Sequence, residues 1–219
     1  MKQDGFFLLL WLPCFLFSST LVAQEQANPA NGQAKSSTCV ACHNADGNST
    51  VPNWPKLAGQ HYPYLVKQLN EFRKGENGLR YDPTMYGMTA TLSDQDILDL
   101  ASFYTHQSST LGQAKPEYVK LGESIYRGGN LESGVTACTA CHGPTGEGNE
   151  EANFPRLSGQ HAQYLEDQLN AFRTGKRKNS PNGMMESIAK RMTDEEIKAV
   201  SSYIEGLRSA AIQEQKEEK

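Results

Sequence analysis

The sequence predicts an all-α protein made by tandem duplication of one small unit, and three observations carry that prediction. The stretch NWPKLAGQHYPYLVKQLNEFRKG (53–75) matches NFPRLSGQHAQYLEDQLNAFRTG (153–175) at 14 of 23 positions with a constant offset of 100, and self-similarity at a fixed period marks a repeated structural unit. Apolar residues in each copy recur at i, i+4 and i+7, one face of a helix, and neither copy sustains the period-two alternation of a strand. The pattern Cys-x-x-Cys-His occurs once per copy, as CVACH (39–43) and CTACH (138–142).

The first residues read as an address for export. Lys2 precedes an apolar run from Phe6 to Phe17, and small residues through Ala23 come before Gln24, Glu25 and Gln26. That layout is a secretory signal peptide, residues 1–23, cleaved after Ala23 or, as the second choice, after Ala27. The run of about 12 apolar residues falls short of the roughly 18 that a spanning helix needs, which leaves an uncleaved anchor as the alternative. Cys14 lies inside the run and leaves with it. The mature chain then keeps four cysteines, all in the two motifs, in an oxidising compartment where spare thiols are a liability.

The N-terminal unit spans 24–107, and only a short segment precedes Cys39, so its N-terminal helix is left open. Leu65, Leu69 and Phe72 define the first helix face, with counterparts Leu165, Leu169 and Phe172. A later helix starts at Ser93-Asp-Gln-Asp96, matched by Thr193-Asp-Glu-Glu196, both of the Ser/Thr-x-x-acid form that caps an N-terminus. Behind them Ile97, Leu100 and Phe103 pair with Ile197, Val200 and Tyr203. QSSTLGQAKP (107–116) has the Ser, Gly and Pro of a connector, which puts a linker at 108–116. EYVKLGESIYRGG (117–129) opens the C-terminal unit, 117–208, with a helix before its motif. RTGKRKN (173–179) reads as a solvated loop, and QEQKEEK at the end of the polar tail 209–219 as disordered and solvated.

Composition narrows the function. A formal net charge of −4 gives no electrostatic reason to expect a nucleic acid or an anionic membrane as partner. Units of about 90 residues bury a small share of their surface, and the hydrophobic fraction of the chain is only 37%. A bound group is therefore expected to help organise each core.

Two cysteines three positions apart lie on one side of a helical turn, where their sulfurs can reach neighbouring vinyl groups of a porphyrin and form thioethers. The histidine that follows can then place a ring nitrogen beneath the iron. Cys39, Cys42, Cys138 and Cys141 are thus the candidates for attaching two covalent haem c groups, with His43 and His142 as iron ligands. A thioredoxin-like pair would want a βαβ context. A Cys₄ zinc site would leave the histidine after each pair unexplained, and a disulfide across two residues is strained.

The sixth ligand separates an electron carrier from a catalyst. Met85 and Met185 are the methionines found in both copies after the motifs, each expected in a Gly/Pro-containing loop; Met88, Met184 and Met192 have no methionine counterpart. His61 and His161 are also in register, so ligation by two histidines is the alternative, with packing near the haem edge as their other role. His106 faces Gly206 in the repeat and belongs to a helix C-terminus.

With CVACH and CTACH, NWPKLAGQ and NFPRLSGQ, MYGM and the acid-capped last helix of each unit, the chain resembles the dihaem cytochromes c of the cytochrome c4 family over nearly its whole mature length. The resemblance implies two class-I cytochrome c folds facing each other about a pseudo-twofold axis, each wrapped around one haem, with His43/Met85 and His142/Met185 as axial ligands. It implies that Pro55 and Pro155 offer carbonyls to hold the proximal histidine rings. It further implies a periplasmic shuttle of single electrons, loosely membrane-associated, taking electrons from a quinol-oxidising complex toward a terminal oxidase. The alternatives are a cytochrome subunit docked on a dehydrogenase and a dihaem enzyme, either a peroxidase or a thiosulfate-oxidising one.

Overall fold

The computed structural model describes residues 26–208, so the signal-peptide expectation for 1–23 and the polar tail 209–219 lie outside the described residues. The described chain forms ten α-helices in two successive sets of five, with short 3₁₀ turns and only isolated bridges between extended residues. The first set is α1 (Pro29–Lys35), α2 (Val40–His43), α3 (Tyr62–Arg73), α4 (Pro83–Thr89) and α5 (Asp94–Thr105). The second is α6 (Pro116–Gly128), α7 (Thr139–His142), α8 (Ala162–Thr174), α9 (Met184–Ala189) and α10 (Asp194–Glu205).

Both predicted capping boxes form. Ser93 caps α5 and Thr193 caps α10, each accepting from the backbone of the acidic residue three positions on while that carboxylate bonds back to the cap. The open question at the N-terminus resolves into a helix of seven residues, capped by Asn28.

In each unit the first helix packs on the last, α1 on α5 and α6 on α10, and a glycine permits the approach. A Cβ on Gly32 would lie 2.0 Å from the Asp99 carbonyl oxygen, and one on Gly122 would lie 2.3 Å from that of Ala199. Alanine at either position must push two helices apart, an overpacking cost of about 1–3 kcal/mol. We expect Gly122→Ala to lower the denaturant midpoint accordingly; an unchanged midpoint would mean that the crossing relaxes freely.

The two cores differ in size. In the second unit Ile125, Tyr126, Val135, Leu165, Met192, Ile197, Val200, Ile204 and Leu207 form one buried cluster. In the first the cluster is Leu65, Leu100, Ala101, Phe103 and Tyr104. The sequence explains the difference: α1 reads PANGQAK and contributes no large apolar side chain, whereas α6 inserts Ile125 and Tyr126.

The units are locked together by buried polar groups arranged twofold. Gln60 and Gln160 each span the interface, and so do His61 and His161. Arg80 and Arg177 form an antiparallel bridge. Arg80 donates to Gln68 at 2.7 Å and to the Tyr164 hydroxyl at 2.6 Å, and Arg177 donates to Gln168 at 2.8 Å and to the Tyr64 hydroxyl at 2.9 Å. Each guanidinium also stacks on a phenyl ring, Phe72 at 4.5 Å and Phe172 at 4.4 Å. Burial raises the Tyr64 phenol, but the Arg177 and Arg80 charges outweigh it and hold it below its ordinary value.

RTGKRKN is therefore not simply a solvated loop. Lys176 and Lys178 are exposed, but Arg177 and Asn179 are buried against the other unit, because the aromatic face and amide oxygens awaiting Arg177 satisfy a charge that a loop would otherwise leave in water. The connector is pinned as well. Asn48 accepts from the Thr110 backbone at 2.8 Å and donates to the Ser108 carbonyl at 2.9 Å, while the buried ammonium of Lys56 donates to the carbonyls of Thr110 and Gly159.

Candidate cofactor sites

Each Cys-x-x-Cys-His motif folds as a single helical turn. The His43 amide donates to the Cys39 carbonyl and the His142 amide to that of Cys138, both at 2.9 Å, so the i, i+3 spacing puts the two cysteines of each pair on one side. All four cysteines are unpaired and half-buried, and Cys39 and Cys138 pack against their units' cores. Burial pushes the Cys39 thiol up and the Cys138 thiol up to about 12. Among the described residues no group of three or more His, Cys, Asp or Glu converges as a metal cluster. The two pairs stand in separate units and do not assemble the shared Cys₄ site.

His43 and His142 are buried, 6% and 7% exposed. Their Nδ1 atoms lie 2.9 Å from the carbonyl oxygens of Pro55 and Pro155. A carbonyl only accepts, so Nδ1 carries the proton in both rings and the Nε2 lone pair is left for a metal. Burial lowers both imidazole pKa values, against the proline carbonyl bonds that raise them, which favours the neutral ligand form.

The proline carbonyls are set by a turn that recurs in both units. The Leu57 amide donates to the Gly47 carbonyl and the Leu157 amide to that of Gly146, each at 2.7 Å. Gly47 and Gly146 hold φ of 75° and 74°, a left-handed backbone that favours glycine.

Met85 and Met185 are half-buried and sit in helices, not in the loops expected. The Asp82 side chain caps α4 by accepting from the Met85 amide at 2.8 Å with Pro83 at the first helical position, and Met185 lies in the first turn of α9. Pro83 and the aspartate cap are a helix-start signal that their loop-like composition hides. Met192 is buried in the core, and Met88 is exposed.

His61 and His161 are committed elsewhere. The Nε2 atom of His61 donates to the Glu147 carbonyl at 2.7 Å, and that of His161 to the Ser49 carbonyl at 2.8 Å. Each ring thus reaches into the other unit and holds the loop that follows the motif there. His106 turns back on its own helix, donating from Nδ1 to the Ser102 carbonyl at 2.7 Å.

Two thiols on one turn, a buried neutral imidazole with Nε2 unused and an apolar surround fit a covalently attached haem in each unit. Sequence reasoning missed Gln60, Gln160, Arg80 and Arg177. The signal available for the glutamines was their identity at the constant offset.

Comparison with known proteins agrees with this geometry. The cytochrome c family profile matches residues 29–108 and 120–208. Cytochrome c4 of Azotobacter vinelandii is 49% identical over 195 residues, spanning 86% of this chain and 93% of that protein. A thiosulfate dehydrogenase electron acceptor of Stutzerimonas stutzeri (strain A1501) is 37% identical over 193 residues, spanning 84% of this chain and 82% of that protein. The crystal structure of reduced recombinant cytochrome c4 from Pseudomonas stutzeri superposes with a TM-score of 0.81 at 44% identity, covering 83% of this chain and 100% of that one. The match in two segments agrees with the duplication, and the chain belongs to the cytochrome c4 family of electron carriers with two covalently bound haem c groups.

Proposed function

We propose that this carrier works in the periplasm, relaying single electrons from a quinol-oxidising complex toward a terminal oxidase. The observation that carries the reading is the pair of buried imidazoles, each with Nδ1 held by a proline carbonyl and Nε2 unused, in two units locked to each other. Cys39 and Cys42 attach the first haem, and Cys138 and Cys141 the second. His43 with Met85, and His142 with Met185, ligate the two irons; Pro55 and Pro155 orient the histidine rings, while His61 and His161 brace the loops across the interface.

Each haem supplies an iron that exchanges one electron without making or breaking bonds. The chain's part is to keep that exchange cheap. Thioethers fix the porphyrin, two protein ligands fix the coordination, and packed helices limit reorganisation. A methionine thioether is soft and uncharged, so it favours the ferrous state. The interface holds the two sites at a constant separation, which suits relay within one chain.

The reading includes export directed by residues 1–23, an N-terminal unit of 24–107, a linker of 108–116, a C-terminal unit of 117–208 and a polar tail of 209–219. Among the described residues no helix is long and apolar enough to cross a membrane, and loose membrane association is part of the same reading. A second reading, electron acceptance from a docked dehydrogenase, is favoured by the likeness to the thiosulfate dehydrogenase electron acceptor. Mixing the reduced protein with purified respiratory oxidase decides between them. Rapid oxidation supports the relay toward an oxidase; no oxidation, with rapid reduction by a thiosulfate-oxidising dehydrogenase, favours the second reading.

A further inference from the structure

The interface glutamines do more than join two domains. Gln160 Oε1 accepts from the Lys56 backbone N–H at 2.9 Å, and its Nε2 donates to the Lys56 carbonyl at 2.9 Å. Gln60 treats Arg156 the same way, with 2.9 Å for both bonds. The Lys56 N–H belongs to the same peptide group as the Pro55 carbonyl, and that carbonyl accepts from His43 Nδ1. The Arg156 N–H likewise shares its peptide group with the Pro155 carbonyl that accepts from His142. Each proximal histidine therefore ends a short hydrogen-bonded chain that runs through one peptide group into the opposite unit.

We propose that Gln160 tunes the reduction potential of the first haem and Gln60 that of the second, each across the domain interface by polarising the peptide group that holds the proximal histidine. The inference rests on the ligand roles of His43 and His142 given above. An acceptor on a peptide N–H draws electron density toward the carbonyl oxygen and makes it a stronger acceptor in turn. The stronger carbonyl pulls on the Nδ1 proton and raises the basicity of Nε2. A more basic ligand stabilises ferric over ferrous iron, so each glutamine lowers the potential of the haem in the other unit. Gln60 and Gln160 are each only 8% exposed, so little water competes and the polarisation persists.

Gln60 and Gln160 are positioning residues acting through another group, and the test must separate tuning from docking. In the holoprotein, Gln160→Leu removes the acceptor without changing net charge. At fixed ambient potential the ferrous-to-ferric ratio of the first haem should rise roughly two- to fivefold, the share of a buried hydrogen bond that cooperativity contributes. The second haem should keep its ratio, and Gln60→Leu should do the reverse. The two haems are distinguished by their heme-methyl proton resonances during a potentiometric titration, and the Nδ1–H resonance of His43 or His142 in the reduced state reports the weakened bond.

A role confined to docking predicts another sign. Loosening the interface admits water, which stabilises the more highly charged ferric state and lowers the potential, at both haems together. A shift in the substituted unit's own haem, an equal shift in both, a downward shift or no shift overturns the proposal. Should the unmodified protein prove to have iron ligands other than His43 and His142, the ligand assignment falls and takes the tuning with it. An intact ligand set without the crossed shift overturns the tuning alone.

Discussion

Under the proposed ligation Met85→Ala should open the first haem to carbon monoxide while the second stays closed, and Met185→Ala should do the converse. The two methionines stand in different units, on α4 and α9, so each removal acts on one iron. With Met85 and Met185 as the proposed sixth ligands, the unmodified protein should be low-spin at both haems, bind carbon monoxide poorly when reduced and have no appreciable peroxidase turnover. Each variant should take up about one carbon monoxide per chain and lose part of the weak near-red absorption of methionine-ligated ferric haem. His61→Ala and His161→Ala should leave ligation intact, because Nε2 of each ring is bonded to a carbonyl of the other unit. If the histidine variants lose low-spin character and the methionine variants keep it, the axial set is two histidines at each iron.

Replacing Cys39 and Cys42 together with serine should halve the covalent haem content, and it should cost more structure than the same change at Cys138 and Cys141. The reason lies in the unequal cores. The first unit's buried cluster is five side chains and its N-terminal helix adds no large apolar group, whereas the second buries nine. A small domain with little core depends on its bound group for folding. Loss of α1 to α5 would remove roughly half of the far-ultraviolet helical signal in a two-state unit. The second unit, stripped of its haem, should keep a larger part of its signal. Equal losses in the two variants would mean that the cores do not set the dependence.

Much of this was legible in the sequence because it depends on neighbours along the chain. The helix faces around Leu65 and Leu165, the capping boxes at Ser93 and Thr193 and the two motif turns all follow from contacts three or four residues apart. RTGKRKN was misread for the opposite reason. Its charge and composition suit a solvated loop, and only the arrival of Phe172, Gln168 and the other unit's Tyr64 makes burial of Arg177 favourable. Asp82 and Pro83 are a local start signal for the helix that carries Met85, but the glycine and proline nearby give the segment the composition of a loop and mask it.

By itself the sequence determined the duplication, the helical class, the two attachment motifs and the short set of ligand candidates, since each is a matter of spacing and of what thiols, imidazoles and thioethers can bind. Only the tertiary structure decided how the units meet: that His61 and His161 brace the opposite loops, that Arg80 and Arg177 are buried, and that Gln60 and Gln160 grip the peptide groups behind the proximal histidines. Those contacts join residues about a hundred positions apart, where no periodicity operates. They form because the two units present matching donors and acceptors to each other, and burying those groups is tolerable only when every one finds its partner.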